Sequence, residues 1–258
     1  MVTLEKVRRD APWSWLKAGW ADFVRAPQVS LLYGLIFVGA GLLIVTGLWS
    51  IDQTSLIPIA MSGFALVAPA LAIGIYQVSR ALERGEKPRF RIMITRYPSR
   101  LSQIGFMSVL LALLLMIWFR TAQFLYIGIV PAGSEFDLNA FIPFLLTEPK
   151  GLTLLVVGTA IGAILASLAF SISVLTFPML VDQDVDAITA LVASIRAVFT
   201  QPFVLLTWAW LIAFWVIAGS VVFIIGLAVT FPLLAHASWH AYKDFAPKPE
   251  IPAARSEV

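Results

Sequence analysis

The chain has no cysteine, only two histidines, and few charges: 13 % of its 258 residues are Asp, Glu, Lys or Arg. Without cysteine there are no disulfides, thiolate nucleophiles or thiolate-bound metals, and the redox compartment stays open. No phosphate-binding loop, nucleophile elbow or HExxH motif is present, so neither catalytic residues nor a cofactor is expected. A soluble domain carries about 25 % charged residues. A charge content near half of that, with 60 % hydrophobic residues and a mean hydropathy of +0.89, excludes a soluble fold.

What the chain has in quantity is uncharged apolar sequence. Charge-free intervals run from Arg25 to Asp52, Asp52 to Arg80, Arg100 to Arg120, Lys150 to Asp182 and Arg196 to Lys243. A spanning helix needs about 20 apolar residues. The first four intervals hold one helix each, and the last, 46 residues long, holds two. The fold class expected is all-α: a single domain over 1–258, a bundle of six transmembrane helices near 29–49, 56–78, 101–125, 151–179, 203–218 and 221–242. The turn between the last two is expected at Gly219-Ser220. The short turn 50–55 makes the first pair an antiparallel hairpin, and three hairpins of equal orientation, each led by an interfacial helix, are the economical layout. Segment 126–150 reads as the one long outside loop, resting partly on the membrane surface.

Basic residues fix the orientation. With a cytoplasmic N-terminus, segments 1–28, 79–101, 179–202 and 243–258 lie inside and carry sixteen of the 18 basic residues, leaving only Arg120 and Lys150 outside. Positive loops resist translocation, so both termini are expected in the cytoplasm. The sequence pI near 9.3 has this topological cause and implies no nucleic-acid partner. The first apolar segment is too long for a signal-peptide core, so the N-terminus is expected to be retained.

Amphipathic stretches at 12–25 and 187–199 each lead through a proline, Pro27 and Pro202, into a spanning helix, and Pro98 marks a weaker copy. In the first, Trp13, Leu16, Trp20, Phe23 and Val24 form an apolar stripe. In the second, Ile188, Leu191, Val192, Ile195, Val198 and Phe199 do. Such helices lie in the membrane interface or cap the bundle. Pro69, Pro178 and Pro232 recur in the even-numbered helices, either as kinks above a cytoplasmic-side cavity or as ordinary membrane prolines.

The candidate site residues are few. His236 and His240 share a helical face and are the only candidates for a metal or haem, but a metal needs further ligands. The favoured reading is an interfacial His-Trp-His belt with Trp239. Asp182, Asp184 and Asp186 open like a calcium loop, but Ala187 and Ala193 stand where Gly and Glu are required. Asp186 reads instead as the N-cap of the following helix. Gly158, Gly162 and Ala166 form a small-residue stripe permitting close helix approach, within the bundle or to a partner. Arg120 reads as an anchor near the outer surface, or, if its helix runs on to Val130, as a deeper charge needing a partner. No Asp, Glu or Lys falls at an expected midplane, where coupled carriers place one.

The segments Asp182–Asp186, Phe231–Tyr242, Pro12–Tyr33 and Tyr76–Gly85 resemble a proteobacterial family of predicted integral membrane proteins of unknown function, some labelled cytochrome c oxidase subunit I-like. The resemblance implies a six-helix protein of the bacterial inner membrane and brings no catalytic residues. An oxidase subunit I needs about six histidine ligands for its haems and copper; two are present, so the chain is not that catalytic subunit. The function expected is an accessory or assembly subunit, without enzyme activity, contacting lipids and other subunits of a larger membrane complex such as a respiratory one. The alternative is an uncoupled transporter or channel for a neutral or apolar solute.

Overall fold

A computed structural model of the chain describes residues 3–90, 101–131, 138–221 and 225–247. These are helical almost throughout. A leader helix α1 (Ala11–Arg25) is followed by α2 (Pro27–Ser50). Next come α3 (Ile57–Leu71) and α4 (Ile73–Glu83), then the long α5 (Leu101–Ile129) and the short α6 (Leu138–Thr147). The remainder is α7 (Pro149–Ser173), α8 (Thr176–Asp182), α9 (Ala187–Thr200), α10 (Pro202–Val221) and α11 (Leu227–Phe245).

Five runs among the described residues are long and apolar enough to cross a membrane: Pro27–Ser50, Thr54–Glu83, Leu101–Ile129, Pro149–Asp182 and Pro202–Val221. Between 11 and 28 % of each apolar window is buried, so most of these faces need lipid. The expected sixth helix, α11, is not among these runs. Its second half carries His236, Ser238, His240, Lys243 and Asp244, and it is a well-enclosed long helix, touching α1, α2, α4, α8 and α10. A helix wrapped by protein can be polar where a lipid-facing one cannot.

Two of the expected helices are broken. The second halts at Ala72, three residues past Pro69, and continues as α4. The fourth halts at Val174–Leu175 and resumes as α8, which contains Pro178. A proline removes one intrahelical donor and crowds the preceding turn, which places the second break four residues before Pro178; at the first break, past Pro69, Tyr33 donates its hydroxyl to the Leu71 carbonyl. Pro232 sits inside an unbroken α11. Leu175, Phe177 and Met179 around Pro178 are fully buried, whereas Pro69 is half-buried.

The expected hairpin layout is altered at its first member. α2 packs chiefly on α11 and only lightly on α3, whereas α3 pairs with α5 and α7. Glycine explains the choice. A Cβ on Gly34 would stand 2.0 Å from the Ala228 carbonyl oxygen, and one on Gly19 would stand 2.6 Å from the Ala237 nitrogen. Both α1 and α2 therefore approach α11 at backbone distance. The last turn also moves: α10 runs to Val221, beyond the expected Gly219-Ser220, and α11 begins at Leu227.

Both leader helices end in the same elbow. Ala26 (φ −128°, ψ 49°) and Gln201 (φ −133°, ψ 56°) share one backbone conformation, each followed by the proline that starts a spanning helix. Proline is suited to that first helical position, where its missing N–H has no role. The weaker copy at Pro98 lies outside the described residues. The 126–150 segment holds the end of α5 and the helix α6, whose Phe141 and Phe144 bury with Val130.

Candidate functional site

The ends of α4, α8, α9 and α11 and the start of the chain gather at one pole, and the polar side chains concentrate there. The extended N-terminal segment is strapped to it. The Glu5 amide donates to the Phe245 carbonyl (3.1 Å), and Gln201 accepts from the Val7 amide (2.8 Å) while donating to the Glu5 carbonyl (2.9 Å).

His236 is fully buried. Its Nε2 is hydrogen-bonded to Ser30 Oγ of α2 (3.0 Å) and its Nδ1 to Ser79 Oγ of α4 (2.6 Å). One turn on, His240 Nε2 donates to Asp22 Oδ2 of α1 (2.8 Å). Trp15 of α1 donates its indole N–H to Asp244 (2.7 Å) and meets Trp208 edge-on. Trp239 is buried as well. The interfacial-belt reading is thereby corrected. These side chains do not reach outward into headgroups; they fasten α1, α2 and α4 to α11. Burial alone would raise the Asp22 pKa, but the hydrogen bond and charge of His240 outweigh it, and the carboxyl lies below its ordinary value.

A second cluster joins α4, α8 and α11. Asp182 receives Arg80 Nε at 3.5 Å, Lys243 Nζ at 3.2 Å and the Tyr242 hydroxyl at 3.0 Å, and Lys243 also reaches Glu83 at 3.3 Å. Asp186 stands apart from it. It caps α9, accepting from the Thr189 amide (2.9 Å) and hydroxyl (2.6 Å), which hold its carboxyl below the ordinary pKa. Asp182 and Asp186 thus serve different partners.

Chemically this pole is a set of internal ties. Both nitrogens of His236 are engaged by serine hydroxyls. Among the described residues no group of three His, Asp or Glu side chains has metal-site geometry. Ser30 and Ser79, which flank the histidine, are both fully buried.

The remaining expected positions fall elsewhere. Gly158 has nothing close to it, Gly162 meets only the Trp118 ring at 3.2 Å, and Ala166 is exposed, so the stripe faces away from the bundle apart from that one contact. Since α5 runs on to Ile129, Arg120 lies well inside the helix, exposed and donating to Gln123 (3.0 Å). Asp22, Ser30, Ser79, Arg80 and Tyr242 were missed as partners. Asp22 carried the one available signal, as the sole acid of α1.

Residues 56–182, just under half of the chain, match a family model described as a predicted integral membrane protein family, DUF2189. No curated protein matches the chain, and no solved structure does. The match runs from the residue before α3 to the end of α8. It therefore covers three of the five long apolar runs and stops at Asp182, whose partners Tyr242 and Lys243 lie beyond it. The chain is a multi-helix membrane protein similar to a family of unknown function.

Proposed function

We propose that the chain belongs to this family along its whole length and is a six-span protein of the bacterial inner membrane, with α11 as the sixth span and both termini cytoplasmic. Its role in this reading is that of a non-catalytic accessory or assembly subunit of a larger membrane complex, such as a respiratory one. The observation that carries it is the closed polar pole. The histidines, buried serines and acids bind one another across four helices, as groups that hold a scaffold together do.

Reporter fusions test the topology. Fusions at Gly85, Asp184 and the C-terminus should report cytoplasm, and one at Asp137 the opposite side; cytoplasmic signal at Asp137 defeats the orientation. Purification from the native membrane in mild detergent, with mass spectrometry of what accompanies the chain, tests the role. Stoichiometric membrane subunits are expected. Solute movement by the chain alone in liposomes, lost on Pro178→Ala and Pro232→Ala, would favour the rival, an uncoupled transporter for a neutral solute. The rival draws its support from the helix breaks near Pro69 and Pro178.

A further inference from the structure

The two leader helices turn unexpected faces outward. The bundle side of α9 is Ala187, Ala190, Ala193, Ser194 and Ala197, while Ile188, Val192 and Phe199 are exposed, Phe199 by 79 %. The bundle side of α1 is Trp15, Gly19, Asp22 and Phe23, while Trp13, Trp20 and Val24 are exposed. Water would penalise such faces at about 25 cal/mol per Å² of apolar surface, and both helices lead directly into spanning helices through the same elbow.

Charge on these faces has one sign. The only acid within either helix is Asp22, which is buried against His240. Lys17, Arg25 and Arg196 are exposed, and Arg25 stands 3.8 Å from Asp22 with its side chain 67 % accessible. Large aromatic and aliphatic side chains interleaved with bases, with the helices' exposed acids only at the capping positions Asp10 and Asp186, complement a layer of phosphate headgroups above acyl chains. Tryptophan suits that depth because its ring is apolar and its N–H is polar.

We propose that the outward faces of α1 and α9 form a collar that binds anionic phospholipid, with Lys17, Arg25 and Arg196 on the headgroup phosphates and Trp13, Trp20, Ile188, Val192 and Phe199 at the acyl boundary. The collar would seat the polar pole at one leaflet and select lipid there by charge.

The purified full chain, reconstituted in phosphatidylcholine vesicles containing 30 % phosphatidylglycerol, provides the test. Spin-labelled phosphatidylglycerol should associate in preference to spin-labelled phosphatidylcholine. The triple variant Lys17→Gln, Arg25→Gln, Arg196→Gln should lower that preference by about fivefold or more, since one basic residue near an anionic surface is worth about that factor. The charge-keeping variant Lys17→Arg, Arg25→Lys, Arg196→Lys should retain it, and unchanged elution on gel filtration shows that both fold. Trp13→Phe with Trp20→Phe should remove part of the fluorescence quenching caused by phosphatidylglycerol brominated near the headgroup end of its chains. Equal association of the two lipids, a preference unmoved by the triple variant or lost in the charge-keeping one, or quenching unchanged by the tryptophan substitutions would overturn the proposal. So would a photo-crosslinker at position 20 that labels a protein instead of lipid in native membranes.

Discussion

Gly34→Ala, a change of one methyl group, should markedly destabilise the protein, while Gly39→Ala five residues along the same helix should not. A Cβ at Gly34 would sit 2.0 Å from the Ala228 carbonyl oxygen, 2.7 Å from its carbon and 2.8 Å from its Cα. All three are backbone atoms of α11, so no side chain can swing aside; α2 and α11 must separate. Overpacking of this kind costs typically about 1–3 kcal/mol. The upper end is expected here, because the shift would also stretch the nearby Ser30–His236 hydrogen bond. A Cβ at Gly39 has nothing within 4 Å, and alanine is the better helix former by up to about 1 kcal/mol. Thermal unfolding in mild detergent, followed by loss of the monodisperse peak on gel filtration, compares the two. Equal melting temperatures would mean that α2 does not lie on α11 as described.

Charge spacing made the lipid-crossing parts of this fold legible, because a bilayer tolerates so few alternatives. Pro27–Ser50 and Pro202–Val221 lie wholly in charge-free intervals, Thr54–Glu83 and Pro149–Asp182 exceed theirs only near their ends, and Leu101–Ile129 runs on nine residues past Arg120. The interior was harder to read. Periodicity reports which residues of a helix are alike, but in a membrane the apolar stripe has two possible hosts, the bundle and the lipid. In α9 the bundle side is four alanines and Ser194 while Ile188, Val192 and Phe199 turn outward, and in α1 the large apolar residues are divided, Trp15 and Phe23 inward with Gly19 and Asp22, Trp13, Trp20 and Val24 outward. Close packing without a hydrophobic drive between helices favours the inversion in α9.

The polar pole was invisible for a different reason. Ser30 and His236 are 206 positions apart, and Asp22 and His240 are 218 apart, so no local spacing marks them as partners. His236 and His240 were singled out for being rare, yet their burial depends on α11 being enclosed by five other helices. The ambiguity of α11 in sequence, apolar in its first half and polar in its second, was the trace of that enclosure.

Asp182→Ala should be the second severe substitution, and its effect should reveal how the matched segment is locked to the rest of the chain. One carboxylate there meets Arg80 from α4, and Lys243 and Tyr242 from α11. Removing it leaves two like charges facing each other and takes from the Tyr242 hydroxyl its acceptor. Stripping one partner from a buried ion pair costs about 3–5 kcal/mol. Arg80, Asp182 and Lys243 keep 23, 17 and 34 % of their side chains accessible, so water recovers part of that, and about 2–3 kcal/mol is the reasonable expectation. Lys243 retains Glu83 at 3.3 Å, and Arg80 retains its bond to the Asp182 main-chain carbonyl at 3.3 Å. Arg80→Leu combined with Asp182→Leu should be milder than Asp182→Ala alone, because the two charges of the pair are then removed together. Melting temperatures of the single and double variants in one detergent decide the matter. A double variant as unstable as the sum of its singles would show that Asp182 and Arg80 act independently, and that their contact does not hold α4 to α8.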